Sequence, residues 1–491
     1  MDNMNFFLVC NNCKINYKIE PLLHKCRNCN GFLTIHYDYE WIKSNITKAI
    51  LHSRMLGVWK YKELLPVDER THIISLGEGG TFLQKCERLA KAIGINELYI
   101  KNETTNPTGS FIDRGVSVVI TKIKEFNFKS ICCASPGNLG ASLAAYSAKA
   151  GVKCIVYIPP RIDIGKLYQM IAYRAEIKLV KNFENFYEID KKTYEGYPLT
   201  PVDPYFLEGE KTIGFEICEQ LGWHSPDKII VPMGTGGHIF SIWKAIKELK
   251  KIDFIKHTPE LIGVQSKSCA PIVEAFKKVK IKSIGDKNSL ALDISIKHPP
   301  YKEYALKVIK ESHGDALAVS DDEMIDASKT LAEKEGIFAE PAAASTLAAL
   351  KELKNYGKID KNERIVCIIT GAGLKDPITL KRFTEKEKRI SKLIGRLEGG
   401  RITTKLGKTK ILILEILSKG ACYGYGIWKA LKNYSLEIKI PSVYQHLNEL
   451  IILGLIEESK LETTERGKER LYYSLTEKGK NVLNSLKLSK L

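Results

Sequence analysis

The sequence has no long apolar run and no leader-like beginning. No stretch approaches the roughly 18 consecutive apolar residues that a membrane-spanning helix needs, so we expect no membrane partner. The first residues, MDNMNFFLVC, carry no basic cluster ahead of an apolar segment, so we expect no secretory signal and a cytoplasmic protein. Reduced conditions disfavour disulfides, which makes the twelve cysteines candidates for metal ligands or core residues.

The sequence also lacks internal repeats and low-complexity tracts, and it is too long for one hydrophobic core. A chain of 491 residues with 44% hydrophobic residues predicts several packed domains. The net charge of +18 is unevenly distributed, because residues 396–491 contain 17 basic and 10 acidic residues. A basic terminal module favours a polyanion partner, and nucleic acid is favoured over a membrane surface.

Four cysteines form two C-x-x-C pairs, Cys10 with Cys13 and Cys26 with Cys29. Two such pairs separated by twelve residues can close a tetrahedral site of four thiolates. Four soft ligands with no open position indicate a structural site, so the sequence predicts a zinc ribbon over residues 7–32. A mononuclear iron site fits the same ligands and stays open.

The middle of the chain alternates strand-like and helix-like segments. Apolar runs typical of buried parallel strands lie at residues 129–133, 153–158, 228–232 and 364–369. Amphipathic helical segments lie at residues 140–149, 239–250 and 321–334. This alternation predicts a doubly wound α/β core, with a ligand site outside the carboxyl ends of its strands.

Four glycine-containing turns accompany this pattern: GEGGT at 77–81, SPGNLG at 135–140, PMGTGGH at 232–238 and ITGAGLKD at 369–376. Their order along the chain and their sequences resemble those of threonine synthase, a fold-type II pyridoxal-phosphate enzyme of the tryptophan synthase β-like class. We assign the resembling domain to residues 57–385. The resemblance implies that Asn138 lies beside the cofactor's phenolic oxygen and Thr370 faces its ring nitrogen. The implied ligand contacts are Ser135, Asn138, Gly234, Thr235, Gly236, Gly237 and Thr370.

Two segments depart from the family pattern. In NPTGSFIDRG, residues 106–115, Ile112 stands where the family has the lysine that forms the Schiff base. An aliphatic side chain offers neither nucleophile nor base, and neither Lys101 nor Lys166 is placed to replace it, so we expect no catalysis. In TPVDPYFLEG, residues 200–209, Pro201, Asp203 and Phe206 replace the polar groups that hold the substrate phosphate, and they should repel it.

Several interpretations of this domain stay open. In one interpretation it is a former enzyme whose glycine turns are kept only because the fold needs them. In the other it is a sensor that binds a small ligand reversibly. The candidate ligands are pyridoxal phosphate without a covalent bond, its imine with an amino acid, an amino acid, or a phosphorylated metabolite. The alternatives are a lyase with an unconventional base and an inactive partner of an active threonine synthase.

The last part of the chain has short helices and a hairpin. Residues 393–404 form the predicted linker, and residues 405–491 the predicted winged helix-turn-helix. Helices are expected at 410–417 and 424–432 and from residue 441, with Ser442 as the cap, and hairpin arms at 456–460 and 470–475. The segments YGYGI at 423–427, PSVYQHL at 441–447, LGLIE at 453–457 and RLYYSLTEKG at 470–479 resemble PadR-like transcription regulators.

This resemblance implies double-stranded DNA as a partner and a homodimer. Polar side chains on the third helix have the donors and acceptors that read base edges, and basic residues of the hairpin can touch phosphates. The predicted DNA contacts are Ser442, Gln445, His446, Asn448, Arg466, Lys468 and Arg470. Protein contact is the alternative use of the same fold.

Overall fold

The structure is a computed structural model that describes residues 6–159, 164–180, 195–281, 289–376, 406–434, 438–463 and 469–488. The chain divides into two compact units, Met1–Leu380 and Lys381–Leu491. The predicted linker at residues 393–404 lies outside the described residues. In the part of the chain that the structure describes, no helix has both the length and the apolar character to cross a membrane.

The first unit combines short N-terminal strands with alternating strands and helices. Its strands are β1 Phe6–Cys10, β2 Asn16–Tyr17, β3 Leu33–Tyr37, β4 Leu83–Lys85, β5 Glu97–Asn102, β6 Ser130–Ala134, β7 Lys153–Ile158, β8 Glu176–Leu179, β9 Tyr197–Leu199, β10 Lys228–Pro232, β11 Glu260–Ser266, β12 Asp315–Val319 and β13 Arg364–Ile369. Its helices are α1 Tyr39–Asn45, α2 Lys48–His52, α3 Glu87–Ile93, α4 Ile112–Glu125, α5 Asn138–Ala150, α6 Ile164–Ala172, α7 Pro204–Gln220, α8 Gly237–Lys251, α9 Pro271–Lys277, α10 Lys302–Glu311, α11 Asp321–Glu335 and α12 Pro341–Asn355. Short 3-10 turns lie at Val58–Leu64, Glu103–Thr105, Leu292–Ile294 and Gly373–Lys375.

Two mainly parallel sheets form the centre of this unit. The larger has the strand order β12-β11-β10-β13-β5-β4, in which β4 alone is antiparallel to its neighbour. The smaller has the order β8-β7-β6-β9 and is parallel throughout. All five residues of β10 are buried, as expected for a strand covered by helices on both faces. The predicted α/β class is confirmed.

The helices begin where the sequence offers good first-turn residues. At the start of α11, Ser320 and Glu323 form a capping box, each side chain bonding the other's backbone N–H. At the start of α7, the Asp203 carboxylate accepts from the backbone N–H groups of Tyr205 and Phe206, and Pro204 occupies the first turn. These caps place the first turns of helices at the ends of the preceding strands.

The N-terminal strands form an antiparallel sheet of order β2-β1-β3. This sheet packs on the larger domain through one continuous core that includes Leu8 and Ile35. Buried polar contacts join the two parts: the Tyr37 hydroxyl donates to Glu208 over 2.6 Å, and His24 Nε2 lies 3.0 Å from the Tyr197 hydroxyl. The cysteine-bearing sheet is therefore fixed to α7 and β9.

The second unit contains a helical group and a three-stranded sheet. Its helices are α13 Lys408–Leu417, α14 Gly424–Lys432, α15 Ile440–Ile452 and α16 Glu477–Leu488, and its strands are β14 Cys422–Tyr423, β15 Ile456–Thr463 and β16 Glu469–Leu475. The strand order is β14-β16-β15, all antiparallel, as in a winged helix. Apolar side chains of α13, α14 and α15 share one core with β16.

The prediction that Ser442 caps the third helix is wrong. Helix α15 begins at Ile440, its N-cap residue is Lys439, and Ser442 lies inside the first turn. Pro441 is the reason, because proline fits the first turn of a helix, where its missing N–H is not needed. Of the predicted wing contacts, Arg466 and Lys468 lie outside the described residues.

Candidate functional site

A cavity of about 540 Å³ opens at the carboxyl ends of the central strands. Ala134 ends β6, Pro232 ends β10 and Thr370 follows β13, and all three line it. This is the place at which doubly wound sheets bind ligands, and the volume lies within the ~300–1,000 Å³ usual for small-molecule sites.

Three helices begin at the cavity. Ile112 is the first residue of α4, Asn138 is the first of α5, and His238 is the second of α8, and each lines the cavity. The N-terminal turns of helices carry backbone N–H groups without intrahelical partners and a positive partial charge. This end of the cavity therefore suits an anionic group such as a phosphate.

The glycine turn before α8 requires its glycines. A Cβ at position 234 would come 2.0 Å from the carbonyl oxygen of Asp293, and Gly236 has a φ of +86°. Backbone at Gly236 thus adopts a left-handed conformation that other residues rarely take. Gly234 and Thr235 line the cavity, as predicted, while Gly236, which caps α8, and Gly237, which begins it, are not among the lining residues.

Ser135, Asn138 and Thr370, the remaining predicted ligand contacts, also line the cavity. The orientation of the Asn138 amide follows from its neighbours. Its oxygen accepts from Lys375 Nζ over 2.6 Å, and its nitrogen donates to Glu340 Oε1 over 2.7 Å. A lysine amine can only donate, so the atom that faces Lys375 is the amide oxygen. The amide nitrogen has two hydrogens, of which one goes to Glu340 and the second is available to a ligand oxygen.

Two lysine amines lie close to the cavity wall, although position 112 has none. Lys375 is buried, and burial lowers the pKa of its amine, opposed by Glu340. Lys166 Nζ lies 3.4 Å from Glu340 and 3.6 Å from Asp293, both of which line the cavity. Lys166 could be considered from the sequence, whereas Lys375 was missed because it stands within a glycine-containing turn.

Lys101, the other lysine considered, lies elsewhere. Its amine is 2.6 Å from Glu216 and donates to the carbonyl of Thr81 over 2.7 Å, fully buried. The same network contains Arg114, whose guanidinium contacts both Glu103 and Glu216. These buried ion pairs hold the first turn of α4, and hence the position of Ile112, in place.

The segment 200–209, which leads into α7, places two of its three predicted residues at the cavity. Pro201 and Phe206 line the cavity as expected, but Asp203 does not. The fully buried Asp203 carboxylate caps α7 and accepts from the Tyr197 hydroxyl over 2.6 Å. The prediction that Asp203 adds negative charge to the ligand site is therefore wrong, because helix capping takes up that carboxylate.

Glu210, and not Asp203, is the α7 carboxyl group that lines the cavity. It lies on α7, one turn after Phe206, and both side chains line the cavity. The helical spacing of four residues from Phe206 was the signal that could have indicated it. Next to them, His238 stacks on Phe111 with ring centres 4.3 Å apart, and burial lowers the pKa of His238 to about 3, which keeps it neutral.

The four N-terminal cysteines converge as predicted. Their Sγ atoms all lie within 4.8 Å of one another, with Cys10 to Cys29 at 3.4 Å and Cys13 to Cys26 at 3.5 Å. Tetrahedral thiolate sites need this mutual approach. The group can hold one metal ion.

In the second unit, α15 exposes Gln445 and Asn448, whereas His446 is half-buried. Glu449 organises this surface, since it accepts from Gln445 Nε2 over 3.2 Å and lies 3.5 Å from His446 Nδ1. Arg470, on β16, is exposed and stacks on Tyr423 at 4.6 Å. The exposed Tyr444 of α15 was not predicted as part of this surface.

Comparison with known proteins assigns both parts of the chain. Residues 74–371 match the sequence model of the family "Pyridoxal-phosphate dependent enzyme". The chain belongs to this family. A threonine synthase of Methanocaldococcus jannaschii is 46% identical over 388 residues, which cover 78% of this chain and 96% of that protein. A threonine synthase of Methanosarcina acetivorans is 40% identical over 382 residues, covering 76% and 93%.

Solved structures share the fold of this pyridoxal-phosphate dependent enzyme domain. Threonine deaminase isoform 2 of Solanum lycopersicum has a TM-score of 0.52 at 24% identity, covering 62% of this chain and 82% of that one. Maize serine racemase has a TM-score of 0.51 at 23% identity, covering 62% and 92%. Residues 413–485 match the model of the "Transcriptional regulator PadR-like family". The predicted PadR-like domain is thereby confirmed.

The cavity fits the cofactor that the family implies, except for the covalent bond. Gly234, Thr235 and the start of α8 offer a phosphate cradle, and Asn138 keeps a donor for an oxygen. Thr370 lies at the end of β13 on the cavity wall. Ile112, where the resemblance places the family's lysine, lines the same cavity but has no amine, so this side chain does not fit covalent attachment.

Proposed function

We propose that this protein is a DNA-binding transcription regulator whose pyridoxal-phosphate dependent enzyme domain binds a small metabolite without turning it over. One observation carries the proposal: Ile112 lines a cavity whose other ligand-binding features are kept. A cradle with an aliphatic side chain where the family has its lysine supports reversible binding rather than catalysis.

The proposed ligand is pyridoxal phosphate held without a covalent bond, its imine with an amino acid, an amino acid alone, or a phosphorylated metabolite. Gly234, Thr235 and the first turn of α8 would hold a phosphate, and Asn138 would donate to a ring oxygen. When bound, pyridoxal phosphate would supply an aldehyde that reacts reversibly with amines. The described cysteine group supports a structural zinc ion.

The PadR-like domain supports DNA binding as the activity that the ligand would regulate. We propose that α15 reads base edges in the major groove through Gln445, His446 and Asn448, and that Arg470 touches the phosphate backbone. A homodimer would place two such helices on a palindromic site. Ligand binding would then alter DNA affinity through a difference in ligand affinity between two states of the protein.

The test uses the full chain. Preferred duplexes are first selected from a random DNA pool, and DNA affinity is then measured at one salt concentration with and without pyridoxal phosphate, alone and with single amino acids. A change in DNA affinity that saturates with ligand is the expected result. Saturable ligand binding with unchanged DNA affinity contradicts the regulator.

One observation favours a second function, an enzyme with an unconventional base. The amines of Lys375 and Lys166 lie at the Asn138 and Glu340 side chains of the cavity wall. Borohydride reduction after incubation with pyridoxal phosphate, followed by peptide mapping, distinguishes the two functions. A stable adduct at either lysine together with turnover of an amino-acid substrate would establish the enzyme.

A further inference from the structure

Glu210 is a carboxyl group that faces the cavity with no partner among the described residues. Its side chain lines the cavity and is 3% exposed. The other buried carboxylates of α7 have cations: Glu208 contacts Lys211 and Lys244, and Glu216 contacts Arg114. Buried charges without a partner are rare, because removing a carboxylate from water is unfavourable unless a cation or several donors replace the water.

Burial raises the pKa of Glu210 to about 8, and no neighbouring charge opposes the rise. The ionised carboxylate is therefore destabilised in the free protein. A cation that arrives in the cavity would reverse this effect, since an opposite charge within ~4–6 Å favours the ionised form.

The other titratable groups around the cavity do not neutralise Glu210. His238 on α8 is neutral, and Glu340 and Asp293 already face Lys166. Lys297 and His298 line the cavity from the segment between α9 and α10 and are exposed. Tyr301, the residue before α10, is not among the lining residues, and its buried hydroxyl has no hydrogen-bond partner among the described residues.

Phe206 lies beside Glu210 on the cavity wall. An aromatic ring next to a carboxylate is a combination that recognises organic cations, since the ring face attracts an ammonium group and the carboxylate pairs with it. A phosphate at this place would meet the carboxyl group of Glu210, so it is disfavoured.

We propose that this end of the cavity is a subsite for an ammonium group, with Glu210 as its counter-ion and Phe206 as its aromatic wall. The ligand class is a basic amino acid or a diamine, bound beside or joined to the phosphate-bearing group at the glycine turn. The proposal rests on the proposed function, because it concerns the ligand of the same cavity.

Three stable probes test it with the full chain: the reduced N-(5′-phosphopyridoxyl) derivatives of L-lysine, L-norleucine and L-glutamate. They share ring and phosphate, and their side chains end in an ammonium group, a methyl group and a carboxylate, respectively. By calorimetry at neutral pH, we expect the lysine probe to bind about tenfold or more tighter than the norleucine probe, and the glutamate probe most weakly. Glu210→Gln should abolish the lysine preference and change the norleucine affinity by less than about twofold.

Proton exchange gives a second readout. Binding of the lysine probe should release close to one proton from Glu210 at neutral pH, measured by repeating the calorimetry in buffers of different ionisation enthalpy. Glu210→Gln should remove this release. The matched control is Glu303→Gln, which deletes the same charge from the exposed surface of α10 and should behave as the wild type.

Equal affinity for the lysine and norleucine probes, an unchanged preference in Glu210→Gln, or binding of none of the probes overturns the subsite. The affinity for DNA, measured with the same probes, tests the proposed regulator function independently of the subsite. A lysine preference without any effect on DNA binding supports the subsite and contradicts the regulator. A DNA response to all probes without lysine preference supports the regulator and overturns the subsite.

Discussion

Position 112 lies on a backbone segment that neighbouring contacts hold in place. Ile112 begins α4 and lines the cavity, while the next residue, Asp113, accepts from the Thr108 N–H over 2.7 Å and from Ser142 over 2.5 Å. Arg114 joins Glu103 and Glu216 behind it. A substitution at position 112 should therefore leave the backbone in place and change only the chemical group that faces the cavity.

Ile112→Lys tests this at the residue scale. The variant should form a borohydride-reducible adduct with pyridoxal phosphate at residue 112, because the amine returns to a cradle that still fits the cofactor. Peptide mapping by mass spectrometry locates the adduct. Ile112→Met, similar in size but without an amine, is the control; an adduct of equal yield in that variant would contradict the explanation.

A second residue-scale prediction concerns stability and pH. Folded Glu210 keeps its proton to about pH 8, whereas its ordinary pKa is 4.5. Between these values the unfolded chain binds fewer protons, so the free energy of unfolding should fall as pH rises, by at most about 1.4 kcal/mol per pH unit. Glu210→Gln should flatten this dependence and be more stable than the wild type at pH 8. Thermal unfolding followed by tryptophan fluorescence measures it, with Glu303→Gln as the control.

At the scale of elements, the cysteine-bearing sheet shares its core with the domain that forms the cavity. Its strand β3 contacts α7 through Tyr37, and α7 carries Phe206 and Glu210. Loss of the metal ion proposed for the four cysteines should therefore loosen more than the sheet itself.

Cys26→Ser should lower the bound metal to a small fraction and lower the thermal midpoint, because a structural thiolate site contributes folding free energy directly. Elemental analysis of the purified chain also identifies the ion as zinc or iron. Cys269→Ser, a half-buried cysteine outside the group, should retain the metal. Full metal content in Cys26→Ser would show that the group is not the binding site.

The recognition element α15 separates specificity from affinity. Gln445→Ala should relax base preference at one or two positions and cost about 1–3 kcal/mol at the preferred site, while Arg470→Ala should weaken all duplexes alike and reduce the salt slope by about 1. Binding to the selected duplex and to single-base variants gives both values. Asn433→Ala, an exposed amide at the end of α14, is the control. If Arg470→Ala changes base preference alone, the wing is wrongly assigned.

At the scale of the whole molecule, two units with different chemistry share one chain. Membership of an enzyme family and a match to a regulator family describe separate ranges, residues 74–371 and 413–485. The unequal charge fits this division, since residues 396–491 carry 17 basic and 10 acidic residues. Both observations agree with the proposed division of roles, in which the second unit is the one that binds DNA.

The assembled protein should be a homodimer that binds one palindromic duplex. Sedimentation should give twice the chain mass, and titration should give two chains per duplex, since a two-fold protein matches a two-fold site. A half-site duplex serves as the control and should bind more weakly. A monomer that binds a half-site and a palindrome equally well contradicts this assembly.

The local sequence determined much of this protein. Strands β7, β10 and β13 lie at their predicted residues because short apolar runs between turns have few alternatives. The convergence of the four cysteines could be predicted because each C-x-x-C pair needs only a tight turn. The alignment of Ile112 with the family's lysine rests on the residues next to it in the sequence alone. The cap of α15 was predicted three residues too late, at Ser442 instead of Lys439, because proline suits a first turn as well as a preceding position.

Only the tertiary structure decided which side chains share the cavity. Lys375 reaches Asn138 across 237 residues, and nothing near either residue in the sequence indicates that contact. Asp203 caps the helix that carries Glu210, yet the Asp203 carboxylate binds the backbone of the first turn while the Glu210 carboxyl group lines the cavity. Sequence patterns report local conformation, whereas charge pairing and burial depend on distant segments packing together.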